Sequence, residues 1–218
     1  ARNFMQSGDL DNAVLVLTKA SESNKNDVDL QKDLAQAYYY KKDYTKALET
    51  IKPVIASPDC DPSAYQLAGN VYKAQENYKE AERMYKEGLK DFPNNGPLHN
   101  DYGELLDILK NPLGAIDQWQ KGIQAAPSYG GNYYNAAVYY YKQQDDKIWA
   151  IIYGEIYANM ESLNPKSNSI KKMVLDAYKQ KLFISNNLKA DAANQKNAFA
   201  RAVIETFAKQ SGISAQGI

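Results

Sequence analysis

Apolar residues recur along the first three quarters of the chain at i, i+3, i+4 and i+7, in paired blocks separated by short stretches rich in Asp, Asn, Gly and Pro. The blocks repeat. Gly8-Asp9-Leu10-Asp11-Asn12-Ala13 matches Lys42-Asp43-Tyr44-Thr45-Lys46-Ala47, then Glu76-Asn77-Tyr78-Lys79-Glu80-Ala81, then Lys110-Asn111-Pro112-Leu113-Gly114-Ala115. The alanines 13, 47, 81 and 115 are each 34 residues apart, and each has a polar residue four positions before it. With that alanine counted as position 20, position 8 holds Ala35, Gly69, Gly103 and Ala137, and position 11 holds Tyr38, Tyr72, Leu106 and Tyr140. Position 24 holds Leu17, Ile51, Tyr85 and Trp119. The in-phase positions fall into two runs, each with helical spacing, so every unit is two helices with two apolar stripes and the chain contains no convincing strand.

The punctuation agrees with the stripes. Asp43, Asn77 and Asn111 stand where the second helix begins and are residues that cap helix N-termini. Pro93 and Pro127 end second helices. Small residues at 8 and 20 let the paired helix axes approach, and a large aromatic fills what remains; Gly88 and Gly122 allow the same approach to the next unit.

This pattern resembles the tetratricopeptide-repeat (TPR) family, whose signature reads here as Tyr65, Ala68, Gly69, Tyr72, Ala81, Tyr85, Gly88 and Pro93. The resemblance covers residues 1–165 as a partial repeat 1–27 and repeats 28–61, 62–95, 96–129 and 130–165. It implies an all-α fold: a right-handed superhelix of antiparallel helix hairpins, with C-terminal capping helices in 166–218. The departures are Gln31 and His99 at position 4, Pro53 inside a second helix, and a one-residue slip near Trp149-Ala150 that predicts a longer or shifted second helix ending before Pro165. Beyond the repeats, Ile170, Met173, Val174, Ala177, Tyr178 and Leu182 give an amphipathic capping helix from Ser167 to Phe183. Residues 185–197 carry a weak helical signal, Phe199, Val203 and Phe207 mark a last helix over 194–210, and Ser211 to Ile218 read as a frayed end.

Composition narrows the function. Lys plus Arg and Asp plus Glu both number 26, so no long-range field draws nucleic acid or an anionic membrane. No apolar run spans a bilayer. With one Cys there is no intrachain disulfide. The chain starts at Ala1 rather than Met, which predicts a processed or trimmed sequence.

No catalytic constellation emerges. His99 falls at a packing position and Cys60 in an inter-unit loop one repeat away, Asp145-Asp146 sit at a solvated turn, and no metal set or phosphate loop is present, so neither enzyme activity nor a cofactor is expected. Of the 18 tyrosines, nine (38, 44, 65, 72, 78, 85, 133, 140 and 153) fall at packing positions and are expected in the core. The family's concave-face positions transfer as Lys32, Gln36, Tyr39 and Tyr40, then Gln66, Asn70 and Lys73, then Asn100, Glu104 and Asp107, then Tyr134, Val138 and Tyr141. The resemblance makes these the candidate groove for a protein or peptide partner. The family's clamp for C-terminal carboxylates is not expected, because its cationic positions hold Pro97 and Asp101, or Gly131 and Asn135.

A non-enzymatic interaction scaffold holding a peptide or helix in that groove is therefore expected. The alternative is an envelope accessory protein binding glycans or small ligands, which would need two or more coplanar exposed tyrosine rings in one cleft. A monomer is expected, with self-association through Phe199, Val203 and Phe207 as the alternative. In composition the chain is also similar to exported TPR proteins of Gram-negative bacteria, which implies a periplasmic or exported location, with the cytoplasm as the alternative.

Overall fold

The structure, a computed structural model, describes residues 1–24, 26–143, 147–180 and 188–209. Asp145, Asp146, Leu182, Phe183, residues 185–187 and the end from Ser211 onward, all addressed by the sequence reading, lie outside the described residues. Among the described residues there are thirteen helices and no strand. They fall into two compact units, residues 1–126 and 127–218.

The first unit holds α1 (Arg2–Ser7), α2 (Leu10–Ser23), α3 (Val28–Tyr40), α4 (Tyr44–Ile55), α5 (Pro62–Ala74), α6 (Tyr78–Asp91), α7 (Gly96–Ile108) and α8 (Pro112–Ala125). Every second helix starts on the residue type its sequence asked for. Asp9, Asp43, Asn77 and Asn111 accept the backbone N–H three residues on, satisfying a donor the helix cannot. The residue before each cap is left-handed: Gly8 at φ 79°, Lys42 at 63°, Glu76 at 60° and Lys110 at 61°. There the chain closes the preceding helix with paired backbone bonds, for example Glu76 N–H to Lys73 O at 3.0 Å and Asn77 N–H to Tyr72 O at 3.0 Å. Helices α6 and α8 stop at Asp91 and Ala125, two residues short of Pro93 and Pro127. Pro53 is accommodated inside α4, which runs 12 residues where α2, α6 and α8 run 14.

Packing follows the small-against-large rule. A Cβ on Gly69 would overlap the Tyr85 ring, and one on Gly103 would overlap the Trp119 indole. The Trp119 Nε1–H donates to the Asn100 carbonyl at 3.2 Å, so the buried indole is satisfied. Gly88 brings α6 against the next first helix, since a Cβ there would lie 2.7 Å from the Tyr65 Cβ and 3.2 Å from Leu98.

The second unit holds α9 (Gly130–Lys142), α10 (Lys147–Met160), α11 (Pro165–Tyr178), α12 (Leu188–Asn194) and α13 (Ala198–Lys209). The register slip is real and changes one assignment. Ala150, one residue past the in-phase position held by Trp149, is fully buried, and Gly154 rather than Tyr153 faces Ala137 and Val174. One residue of shift turns a helix by roughly 100°, so Tyr153 is carried to a half-buried site. There it stacks on Tyr140 and Trp149, both at 5.9 Å between ring centres.

Other expectations need correction as well. Of the nine tyrosines assigned to the core, Tyr65, Tyr72, Tyr85 and Tyr133 are buried, but Tyr38, Tyr44, Tyr78, Tyr140 and Tyr153 are only half-buried. Tyr44 and Tyr78 open their helices, where only one side has neighbours to cover them. The capping helix begins at Pro165 rather than Ser167, because Asn164 accepts the Lys166 N–H at 3.0 Å. The last helix begins at Ala198 rather than 194, because Asn197 Oδ1 accepts the Ala200 N–H at 3.0 Å. Residues 188–194 form α12, a full helix where only a weak signal was read. Ile148, Ile151, Ala177, Ala192, Ala200 and Ile204 make one core, with Tyr178, Val203 and Phe207 packed against it. Two of the three residues assigned to self-association thus face their own chain, while Phe199 is 54% exposed beside Trp149.

Candidate functional site

In the first unit α3, α5 and α7 lie side by side, and the candidate residues of the first helices fall along one row. Lys32 of α3 is tied down. Its Nζ lies 2.8 Å from Asp29 and 2.5 Å from Asp61. Burial alone would lower its ammonium pKa, but these two carboxylates hold it above the ordinary lysine value.

Three of the candidates hydrogen-bond a residue outside the candidate set, and two more join them through Glu104. Asp101 is 7% exposed, and its Oδ2 accepts from Gln66 Nε2 at 2.8 Å and Asn70 Nδ2 at 2.9 Å. Asn100 Nδ2 donates to Asp101 Oδ1 at 3.3 Å and to Glu104 Oε1 at 3.2 Å, and Lys73 Nζ pairs with Glu104 Oε2 at 3.1 Å. The Tyr85 hydroxyl donates to Asn70 Oδ1 at 2.8 Å, which fixes the orientation of that amide. Burial pushes the Asp101 carboxyl above the ordinary aspartate value, and outweighs the opposing pull of Lys73, Gln66 and Asn70.

The network has a polarity. Because Asp101 can only accept while ionised, the Gln66 and Asn70 amides turn their NH₂ groups inward. Gln66 and Glu104 are half-buried on this row and Asp107 is exposed. Glu104 and Asp107 are the carboxylate acceptors of the row. Asn100 is buried at 5% exposure, so it braces the network rather than lining a surface.

Tyr39 and Tyr40 stand at the other end of the row. Their rings are 5.8 Å apart and tilted by 43°, and Tyr39 makes the same tilt with Tyr44 at 6.1 Å. Burial first, then the neighbouring phenols, Asp101 and Glu104, push the Tyr39 hydroxyl pKa up. Tyr40 is 50% exposed and, with Gln36, Arg2, Met5 and Asp33, lines a cavity of about 520 Å³.

In the second unit the candidates are engaged by α11. The Tyr141 hydroxyl hydrogen-bonds to Asp176, which raises its pKa, and Lys147 Nζ sits 4.4 Å from its ring centre. Tyr134 has Lys166 Nζ at 4.9 Å over its face and Tyr157 edge-on at 5.2 Å. Val138 is half-buried between them on α9. In the first unit the Tyr39 and Tyr40 rings are tilted rather than coplanar, which is not the platform a sugar ring stacks on.

Neither His99 nor Cys60 is part of a reactive group among the described residues. The His99 Nε2–H donates to the Pro93 carbonyl at 3.0 Å, and Nδ1 meets the Gln118 amide at 2.9 Å, bracing α7 against α8. Burial and the nearby Asp61 and Asp91 push the Cys60 thiol pKa up, away from a reactive thiolate. No set of three His, Cys, Asp or Glu residues is placed to hold a metal among the described residues. No helix among them is long and apolar enough to cross a membrane.

Two family models match the chain. One described as "Anaphase-promoting complex, cyclosome, subunit 3" matches residues 6–88, and one described as "Tetratricopeptide repeat" matches residues 67–130. No curated protein sequence matches it. Among solved structures, pilF of Pseudomonas aeruginosa superposes with a TM-score of 0.67 at 17% identity, over 94% of this chain and 92% of that one. A thermophilic TPR protein of Thermus thermophilus gives 0.63 at 16% identity, over 80% and 93%. YrrB, described as a TPR protein with an unusual peptide-binding site, gives 0.55 at 20% identity, over 87% and 97%. At these identities the likeness is one of fold.

Proposed function

The chain belongs to the tetratricopeptide-repeat family, and from that premise we propose that it is a non-enzymatic scaffold that holds a segment of a partner protein along the first-helix row of residues 1–126. The observation that carries the reading is the network around Asp101. Asp101 holds the Gln66, Asn70 and Asn100 amides, and Asn100 and Lys73 hold Glu104, a pre-set polar surface on α5 and α7 that needs little reordering when a partner docks. A row of acceptors with Tyr39 and Tyr40 beside it suits an extended segment that offers backbone N–H groups and a Lys or Arg side chain. The same row is unsuited to a C-terminal carboxylate, since Lys32 is already neutralised by two aspartates and Asp101 would repel it.

Export to the periplasm or envelope is the accompanying proposal, supported by the Tyr-, Asn- and Lys-rich composition with a single Cys. Site-directed photo-crosslinking tests the binding reading in cells of the source. A crosslinker at exposed Asp107 and at Gln36 should capture one common partner, and Glu104→Lys together with Tyr39→Ala should abolish that capture while the helical spectrum is kept. Capture that is equally strong from exposed Lys90 on α6, or unaffected by the double substitution, would move the site off this face.

A further inference from the structure

The second unit contains an apolar pocket that the groove reading does not use. It has a volume of about 510 Å³ and lies between α10, α11 and α13. Its floor is Ala158, 8% exposed, and Val174, 5% exposed. Leu175, 38% exposed, and Phe207 form the walls with the Tyr178 ring, which lies 6.2 Å from Phe207. Two charges stand at the mouth, Glu155 and Lys171. They are not equivalent. The Tyr178 hydroxyl is hydrogen-bonded to the Glu155 carboxylate, whereas Lys171 makes no hydrogen bond or ion pair with any described residue. A pocket of this size, mostly apolar with one unanswered polar group, has the make-up of a small-ligand site. It is too large for one apolar side chain. The polar group it can still answer is a negative one, at the Lys171 end.

We propose that this pocket binds a single-chain anionic amphiphile, with the chain against Val174, Leu175 and Phe207 and the carboxylate or equivalent anion on the Lys171 ammonium. Each buried methylene of such a chain adds to its affinity, and the charged contact sets its direction in the pocket. The site is independent of the partner row on α3, α5 and α7, so either can fail without the other.

The test is titration of the full chain with dodecanoate below its micelle concentration, followed by calorimetry. One equivalent should bind. Lys171→Glu should weaken binding by about tenfold or more, and Leu175→Asp should abolish it. Both positions are solvent-accessible, so circular dichroism and melting should stay at wild-type values, and dodecyltrimethylammonium should bind at least about tenfold more weakly than dodecanoate. The proposal is overturned if wild type fails to bind dodecanoate, if the cationic detergent binds as well, or if neither variant changes the affinity.

Discussion

Glu76 occupies a left-handed turn position, φ 60°, that Gly8 fills at φ 79° in the first hairpin and that Lys42 and Lys110 fill elsewhere. A side chain in this conformation costs about 1–2 kcal/mol, and glycine returns part of that gain as entropy in the unfolded chain. Glu76→Gly should therefore stabilise the protein by about 0.5–1 kcal/mol in urea denaturation; a loss of stability would mean that Glu76 makes a contact the geometry lacks. Asp101 carries the opposite kind of cost. Its carboxyl pKa is raised above the ordinary 3.8 by burial, so the folded chain binds that proton more tightly than the unfolded chain does. The stabilisation is fully present below the unfolded value and is lost as pH rises through the folded one. Asp101→Asn keeps an oxygen for Gln66 and Asn70 and removes the titration. Its stability relative to wild type should rise as pH increases above the ordinary aspartate value of 3.8; a flat difference would place the cost elsewhere. Gln66, Asn70 and Lys73 were placed on the row by the family resemblance, whose concave-face positions their phase carries over. Asp101 was not chosen, because what makes it central is burial by amides 31 and 35 residues away, and a repeat pattern records spacing rather than depth.

At the scale of helices the repeat made the hairpins, their caps and their close approaches readable, because each rests on a residue type with one physical use. Gly103 is such a case: leucine there would drive a side chain into the Trp119 indole, at a cost of about 1–3 kcal/mol by overpacking. An unchanged melting temperature for Gly103→Leu would break the pairing of α7 with α8. The C-terminal helices were less legible. Residues 188–194 have no repeat to compare with and few apolar residues, so α12 is set by its packing on α13 rather than by its own pattern. The tail is nonetheless docked, since Ile204 is fully buried in a core it shares with Ile148, Ile151 and Ala177. Ile204→Asp leaves an unpaired charge there and should release α13. In hydrogen exchange, amides across 198–209 should lose protection while those of α5 to α8 keep theirs. Equal loss throughout would mean that the tail holds up more of the chain than its contacts indicate.

The two compact units give the molecule a natural division at residues 126 and 127. In repeat proteins each hairpin is stabilised by its own packing and that of its neighbours, so a run of hairpins with its internal interfaces intact is a folding unit. Residues 1–126 satisfy that condition: the α3–α4, α5–α6 and α7–α8 pairs and the contacts between successive pairs all lie inside it. The whole partner row of the first unit lies inside it too, from Lys32 to Asp107, with every hydrogen bond of the Asp101 network. A fragment ending at Ala126 should therefore be helical, unfold in one cooperative step, and capture the same partner as the full chain in the crosslinking experiment. It should bind no dodecanoate, because Lys171, Leu175 and Phe207 belong to the other unit. A fragment that folds but captures nothing would assign the partner surface to residues beyond 126, with Tyr134 and Tyr141 the first to test. A fragment that binds dodecanoate as well as the full chain does would remove the pocket as its site and leave the groove reading untouched.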